Sequence, residues 1–497
     1  MNRFINTKAI KKEVLGHKPV YAILAVILLG AFAVRVYRVD TTLGFYFDQG
    51  RDAKVIWDLW HNGDFFLIGP TTGIEGIFRG PFYYYLIAPF YFLGGGNPVW
   101  PSVFLSFTTV VAIFIAYLLG KKIHSREAGL IAALISGFSF FMIFASKWLS
   151  NPTPMLVLSM LLILAMTLVM EGKRWAWTAI SFIAGLSLFH FGSSGEFFYF
   201  PALGIFAVWQ RKTLNLKIIT VSAILFLSTA FPLVLFDIRN EGILSGNIAK
   251  FITKEETFET SFSEVFRQRI KFYHDTFVFK IFTIPSPLTK AATATTAFVF
   301  LFLLPKFLKN RYIVLLFLVF FSPLIGFLFF QGNQGNIYDY YLTGYYLIFI
   351  LLFSVVLGSV WRYPLGKAFV IIFLLAFFVS NKEIVWNNIN DNADGESTVL
   401  LGNEVRAVEW IEQDAGGSRY NADVYVPPVI PHAYDYLFRW TGANLADEQV
   451  ALLYTLYEVD NPHPERLEAW LERQAGIGVV EEEASFGGIT VQRRVRI

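Results

Sequence analysis

The chain contains no cysteine, which excludes disulfide bonds and thiolate metal sites. Charge is also scarce: Asp, Glu, Lys and Arg make up 16% of the 497 residues, whereas soluble domains carry about 25%. No basic stripe lies outside short loops, so nucleic-acid binding has no support. What is present is apolar, with 55% hydrophobic and 18% aromatic residues and long apolar runs from Val20 to Ser380. This composition predicts a polytopic α-helical membrane protein.

The apolar runs predict about eleven transmembrane helices. They are Val20–Val36, Val99–Leu119, Ala128–Ala145, Pro154–Met170, Ala176–Phe189, Phe197–Trp209, Ile218–Phe236, Ala291–Leu304, Tyr312–Phe330, Tyr340–Val360 and Ala368–Ser380. Several runs are shorter than the roughly 20 residues that cross a bilayer, so the pattern leaves their ends open.

Basic residues are sorted by loop, and this sorting predicts the orientation. Lys and Arg are concentrated near the N-terminus and in every second loop, which marks these loops as cytoplasmic. The three long polar segments, Arg38–Pro98, Asp237–Lys290 and the tail after Asn381, then all fall outside. We therefore predict a multi-pass protein of the plasma (inner) membrane with its N-terminus inside and its C-terminus outside.

The composition changes near the end of the chain, which divides it into two predicted domains. Residues 1–390 form the membrane domain, and residues 391–497 form a small extracytoplasmic α/β domain. Within the latter, residues 404–411 and Glu465–Gln474 have helical spacing, while Ala422–Val426 and Ile489–Ile497 alternate as strands do.

The first outer loop carries the residues with the clearest chemistry. Asp48 is followed by Val55, Ile56, Leu59 and Trp60, whose spacing predicts an amphipathic helix lying in the membrane interface. Asp48 is then close to the N-terminus of that helix, where the helix dipole favours an ionised carboxylate. Such a carboxylate can accept a proton from a hydroxyl.

Arg79 stands in the same loop, just before Pro81 and the aromatic run Phe82–Tyr85. A guanidinium at the depth of the lipid headgroups suits a phosphate. Taken singly, Asp48 has the features of a helix cap and Arg79 those of a headgroup anchor. An acid, a cation and aromatic anchors in one loop between two membrane segments favour a functional site.

Three short motifs in this loop resemble those of a known superfamily. They are DQGRDA at residues 48–53, GDF at 63–65 and FRGPFYY at 78–84. Their order and spacing resemble the first loop of the GT-C glycosyltransferases, in particular the branch of protein O-mannosyltransferases and lipid A aminoarabinose transferases. The overall plan of spans, first outer loop and outer C-terminal domain is similar to that branch as well.

The resemblance implies an enzyme that moves a sugar from a polyprenyl-phosphate donor to an acceptor hydroxyl, with inversion, at the outer face of the membrane. Asp48 takes the position of the catalytic base, and Arg79 that of a basic residue that contacts the donor phosphate. Gln49 replaces an acidic residue that often follows the base, so we expect no metal and no other cofactor. The expected partners are the lipid-linked donor, membrane lipids and a glycan, lipid or protein acceptor.

Other polar residues are placed at the same face by the predicted topology. Lys147 and Arg239 are candidates for binding the donor phosphate, because a lipid-phosphate donor needs cations at that depth. Weaker candidates for substrate binding are Arg51, Asp52, His190 and Tyr345. Gln331, Asn333, Gln334, Tyr338 and Asp339 also cluster at this face, and Asn333 and Gln334 have a simpler explanation as span ends that meet water.

Two alternatives remain open from sequence. A transporter or flippase of lipid-linked sugars would be expected to show internal repeats and ionisable residues in mid-span, which this chain lacks. An envelope enzyme of the O-antigen polymerase or ligase type would be expected to place its chemistry in the later loop Asp237–Lys290.

Overall fold

The structure, a computed structural model, describes residues 7–74, 76–254, 261–330, 335–390, 395–427 and 430–497. Gln331, Asn333 and Gln334 lie outside the described residues.

The first part of the chain is helical. Its helices are α1 (Thr7–Gly16), α2 (Lys18–Val36), α3 (Val39–Thr42), α4 (Phe47–His61), α5 (Phe82–Leu93), α6 (Val99–Ile123), α7 (Arg126–Phe138), α8 (Phe140–Lys147), α9 (Met155–Met170), α10 (Ala176–Leu186), α11 (Tyr199–Trp209), α12 (Leu216–Arg239), α13 (Ile243–Lys254), α14 (Phe262–Val278), α15 (Pro287–Phe307), α16 (Arg311–Gly326), α17 (Tyr346–Val360) and α18 (Pro364–Asn390). Short 3₁₀ segments precede α11 (Gly195–Phe198) and α17 (Asp339–Tyr345).

Each of the eleven apolar runs contains a helix. Among the described residues, six helices are long and apolar enough to cross a membrane: α2, α6, α12, α15, α18, and α17 with its preceding 3₁₀ segment. The pair α7 and α8, bent by 65°, would be a seventh if it is one span. The runs at α9, α10, α11 and α16 are shorter. The protein is therefore a multi-pass membrane protein, and the number of eleven spans stays a prediction.

The loops that carry the basic residues meet at one end of the helices. Glu13 pairs with Lys121 at 2.7 Å and with Arg126 at 3.0 Å. From the neighbouring loops, Asn310 donates to the carbonyl of Ile123 at 3.1 Å. The first long loop and the C-terminal domain contact each other at the opposite end, which we call the domain-bearing face. The predicted sorting of loops thus agrees with the fold, while the side of the membrane that each end faces stays a prediction.

A buried arginine stabilises the bend between α7 and α8. The Arg35 guanidinium is 1% exposed and donates to the carbonyls of Ser136 and Gly137 at 2.9 and 2.7 Å. These are carbonyls of the last turn of α7, which lack partners within the helix. The cation therefore satisfies the end of α7 and allows α8 to continue toward the domain-bearing face in a new direction.

The predicted interfacial helix is α4. Its first turn is secured by Gln49, whose side-chain oxygen accepts from the backbone N–H of Tyr46 at 3.1 Å. The amide nitrogen of Gln49 donates to the carbonyl of Leu149, beyond the end of α8, at 3.0 Å. Gln49 therefore attaches the beginning of α4 to the membrane domain.

The C-terminal domain is a four-stranded sheet with three helices. Its elements are α19 (Leu401–Ala415), β1 (Asn421–Tyr425), α20 (His432–Thr441), β2 (Leu452–Glu458), α21 (Pro464–Ala475), β3 (Gly478–Phe486) and β4 (Ile489–Arg496). The strand order is β1-β2-β4-β3, with β1 and β2 parallel and the other pairs antiparallel.

The sequence patterns did not predict two strands and one helix of this domain, namely β2, β3 and α20. β2 is buried over most of its length, so it shows no alternation. β3 is an edge strand that carries Glu481, Glu482 and Glu483 in succession, a composition that resists edge-to-edge pairing and hides the strand pattern. The predicted domain boundary adjoins residues 391–394, which lie outside the described residues, and it stays a prediction.

Candidate active site

Asp48 is the second residue of α4, and its carboxylate is accessible. Its side chain is 58% exposed, and Oδ1 lies 2.8 Å from Nη1 of Arg51, one turn further along the helix. Asp48 belongs to the first turn of the helix, whose backbone N–H groups have no partners within the helix. The geometry leaves part of the carboxylate free to accept a proton from a substrate.

Arg51 joins Asp48 to a second, buried carboxylate. Its Nε and Nη2 both approach Oδ1 of Asp52, at 2.9 and 2.7 Å. Its Nη1 also donates to Oγ1 of Thr71 at 3.1 Å. Asp52 is 4% exposed and accepts from the hydroxyl of Tyr84 on α5 at 2.8 Å. The cluster Asp48–Arg51–Asp52–Tyr84 therefore fixes α4 against α5 and orients the guanidinium that contacts Asp48.

Burial governs the charge of this cluster. Burial raises the pKa of Asp52 to about 6, although Arg51 and the Tyr84 hydroxyl lower it. Burial alone would lower the pKa of Arg51, but the charge of Asp52, together with that of Asp48, raises it above its usual value. Arg51 therefore stays charged, and Asp52 is ionised above about pH 6 and protonated below.

This titration predicts a pH dependence. Below about pH 6 Asp52 becomes neutral and loses its charged contact with Arg51, so the guanidinium that orients Asp48 is held less firmly. We expect activity to fall below that pH in the wild type. Asp52→Asn should be less active at neutral pH and should lack this acidic limb. Rates measured from pH 5 to 8 for both proteins test this, and an unchanged limb in the variant would contradict it.

Arg79 is half-buried in the first long loop. Its backbone forms hydrogen bonds with residues 69 and 70 at 2.7 and 3.0 Å. The residue before it, Phe78, pairs through its backbone with Thr71, the residue whose hydroxyl accepts from Arg51. Nη1 of Arg79 donates to the carbonyl of Leu188 at 3.3 Å. Burial lowers the pKa of Arg79, and the negative charge of Glu196 acts against this shift.

Tyr340 lies in the 3₁₀ segment before α17, and its carbonyl accepts from the Ser193 hydroxyl at 3.3 Å. Its ring is also 6.3 Å from that of Trp148, next to the residue that holds Gln49. Asp48 on α4 is connected to the segment of Arg79 through Arg51 and Thr71, and the segment of Tyr340 contacts Trp148.

A buried carboxylate holds the Tyr340 segment in place. Glu196 is 1% exposed, accepts from the Gly344 backbone N–H at 2.9 Å, and accepts from Ser193 through both N–H and hydroxyl at 2.7 and 2.8 Å. Tyr345 donates its hydroxyl to the carbonyl of Gly195 at 2.9 Å and is fully buried. Tyr345 thus helps to hold the 3₁₀ segment that carries Tyr340.

The other predicted residues have different surroundings. His190 is fully buried: one ring nitrogen faces the Thr229 carbonyl at 2.7 Å and the other the backbone N–H of Phe82 at 3.4 Å. Lys147 is 5% exposed and donates to Thr42. Arg239 is exposed at the end of α12, one turn after Phe236, whose ring lies 5.8 Å from that of Phe78. Arg239 is therefore near Arg79, whereas His190 and Lys147 are used within the fold.

Sequence reasoning missed Lys280. This side chain is 4% exposed, its Nζ lies 3.3 Å from Oδ2 of Asp339, and it lies over the rings of Phe141 and Tyr346 at 4.9 and 4.2 Å. The available signal in the sequence was a cation placed directly before two apolar residues, Ile281 and Phe282. These two residues, next in the chain, line an apolar cavity of about 240 Å³ between α15, α16 and α17.

Within the described ranges, no group of three or more His, Cys, Asp or Glu side chains is arranged to hold a metal ion. The absence of a metal requirement stays a prediction.

Comparisons with known proteins concern the family and the fold. The model of the family described as dolichyl-phosphate-mannose-protein mannosyltransferase matches residues 79–236, about a third of the chain. A search of curated proteins found no match.

Among solved structures, ArnT from Cupriavidus metallidurans in the apo state is 12% identical, with a TM-score of 0.60, covering 96% of this chain and 98% of that chain. The same protein bound to undecaprenyl phosphate has a TM-score of 0.58 at the same identity and coverage. The oligosaccharyltransferase from Archaeoglobus fulgidus, tethered to an acceptor peptide, is 12% identical with a TM-score of 0.51, covering 94% and 73%.

Together these findings define a membrane glycosyltransferase. The match over residues 79–236 and the similarity of the fold to ArnT are both consistent with the GT-C superfamily.

Proposed function

We propose that the chain transfers a sugar from a polyprenyl-phosphate donor to an acceptor hydroxyl at the outer face of the membrane, with inversion at the anomeric carbon. The observation that carries the proposal is the exposed carboxylate of Asp48, oriented at 2.8 Å by Arg51, which is connected through Thr71 to the segment that carries Arg79. An acid and a cation joined in this way suit a reaction that removes a proton at one end and releases a phosphate at the other.

Each group then has one role. Asp48 takes the proton of the acceptor hydroxyl while that oxygen forms a bond to the anomeric carbon. The bond between this carbon and the phosphate oxygen breaks, and polyprenyl phosphate leaves with the bonding electrons. Arg79, with the exposed Arg239 nearby, neutralises the charge on the leaving phosphate. Lys147 is left out of the proposed donor site because its ammonium is buried against Thr42.

The apolar cavity beside Lys280 supports a lipid-borne donor. It is lined by aliphatic and aromatic side chains of helices α15–α17, among them Phe300, Phe320 and Phe353. These helices belong to the membrane domain, so a polyprenyl chain lying there would be in apolar surroundings. Its phosphate end would then be directed toward Lys280 and the domain-bearing face. The structural neighbour that binds undecaprenyl phosphate has the same fold.

The direct test uses the full-length protein in proteoliposomes with radiolabelled polyprenyl-phosphate sugars and a membrane extract as the source of acceptors. We expect the label to move from the lipid to an acceptor fraction, and the anomeric configuration of the product to be inverted. Label that crosses the bilayer while still attached to its lipid would instead indicate a flippase. Transfer only from diphosphate-linked oligosaccharides would indicate the polymerase or ligase alternative.

A further inference from the structure

Helix α4 is covered by a helix of the C-terminal domain at unusually short range. A Cβ atom built on Gly50 would lie 2.3 Å from the backbone nitrogen of Ala433 and 2.3 Å from the carbonyl carbon of His432. Real Cβ atoms do not approach other atoms so closely, so only glycine fits at this position. The backbones of α4 and α20 are therefore in contact two residues after Asp48.

Side chains continue this contact along α4. The ring of Phe47 lies 4.8 Å from that of His432, Lys54 pairs with Asp435 at 2.8 Å, and Asp58 pairs with Arg439 at 2.8 Å. Positions 47, 50, 54 and 58 recur every three to four residues, so they form one face of the helix. Helix α20 therefore follows α4 over about three turns.

Helix α20 is also attached to the membrane domain independently of α4. The hydroxyl of Tyr436 donates to the carbonyl of Gly96, and Nε1 of Trp440 donates to the carbonyl of Gly95 at 2.9 Å. Both carbonyls belong to the turn between α5 and α6. On its other side, α4 is bound to the membrane domain through Asp52 and Gln49. Helix α4 is thus enclosed between two parts of the structure that are themselves connected.

We propose that α20 is a positioning element for catalysis, and that Gly50, Lys54 and Asp435 set the place of Asp48 without touching substrate. This inference rests on the proposed role of Asp48 as the base. A catalytic group must stay within about 0.5 Å of its productive position, and a shift of about 1 Å can cost about 100-fold in rate. The C-terminal domain would then be required for turnover itself, whichever acceptor is used.

Gly50→Ala tests the close contact. The added methyl group must push α4 away from α20, so we expect kcat to fall about 10- to 100-fold while the KM for the donor changes less than about threefold. The matched control is Gly246→Ala, another helical glycine, on α13, where a Cβ would meet nothing within 4 Å. This control should keep the wild-type rate. A wild-type kcat for a folded Gly50→Ala protein would overturn the proposal.

A charge exchange keeps the proposal testable if Gly50→Ala does not fold. Lys54→Glu and Asp435→Lys should each lower kcat about threefold or more, and the double variant, which restores an ion pair, should recover at least half of the wild-type rate. The control pair is Arg419 and Glu448, an exposed ion pair within the C-terminal domain, whose single reversals should leave kcat unchanged. Absence of recovery in a folded double variant would count against positioning.

The failure of this inference and that of the proposed function give different results. If Asp48→Asn transfers sugar normally, the role of Asp48 is wrong and the positioning inference falls with it. If Asp48→Asn is inactive while Gly50→Ala and both charge reversals turn over as the wild type does, only the positioning inference is wrong.

Discussion

Replacing Asp48 by Asn is expected to abolish sugar transfer, with a loss of about 100- to 10,000-fold, the usual contribution of a general base. Asparagine keeps the shape of the side chain and can still cap the first turn of α4, but it cannot accept the proton of the acceptor hydroxyl. Because Asp48 is 58% exposed, folding and membrane insertion should be unaffected. The measurement is the initial rate of transfer from a defined lipid-phosphate sugar, together with donor affinity, which should remain within about threefold of wild type.

The matched control is Asp40→Asn, at an exposed acidic residue in the same loop and outside the three motifs, which should leave the rate unchanged. It separates the loss of a base from a general loss of negative charge near the membrane. Near-normal transfer by Asp48→Asn would refute the mechanism.

Replacing Arg79 by Ala is expected to weaken donor binding, raising the KM for the lipid-phosphate donor about 10- to 100-fold, because a charge-assisted contact to phosphate contributes about 1.5–3 kcal/mol. Arg79→Lys should recover only part of this affinity, since a lysine cannot form the bidentate contact. The backbone pairing of residue 79 with residues 69 and 70 does not depend on the side chain, so the loop should stay formed. Donor binding by isothermal calorimetry and the KM for the donor are the measurements.

Arg267→Ala is a suitable control, because Arg267 lies on α14 and is 78% exposed. Its loss should not change donor affinity. If Arg79→Ala binds the donor as the wild type does and only lowers thermal stability, Arg79 serves to anchor the loop through the Leu188 carbonyl.

The organisation of the first loop could be predicted because its signals are local. The spacing of Val55, Ile56, Leu59 and Trp60 predicted a helix, and the structure contains this helix as α4. Asp48 lies at its beginning. Local spacing likewise reported α21 and β4 in the C-terminal domain. Such patterns depend on which face of an element is buried, and a single segment of chain contains that information.

The partners of the predicted site residues could not be read in the same way. Lys147 and Arg239 have the same charge and similar positions at span ends, yet one is buried against Thr42 and the other is exposed. The difference depends on α3, which lies a hundred residues away in the chain. Lys280 went unnoticed for the same reason, because its aromatic neighbours come from α8 and α17.

Composition, hydropathy and loop charge alone determined that this protein is a polytopic membrane protein with a polar first loop, since transfer into lipid depends on local sequence. The motif order in that loop was enough to suggest the superfamily. Only the tertiary structure decided that Arg51 bridges Asp48 and Asp52, and that α20 lies against Gly50. Contacts between distant segments depend on the packing of whole elements, and no local pattern in the chain encodes that packing.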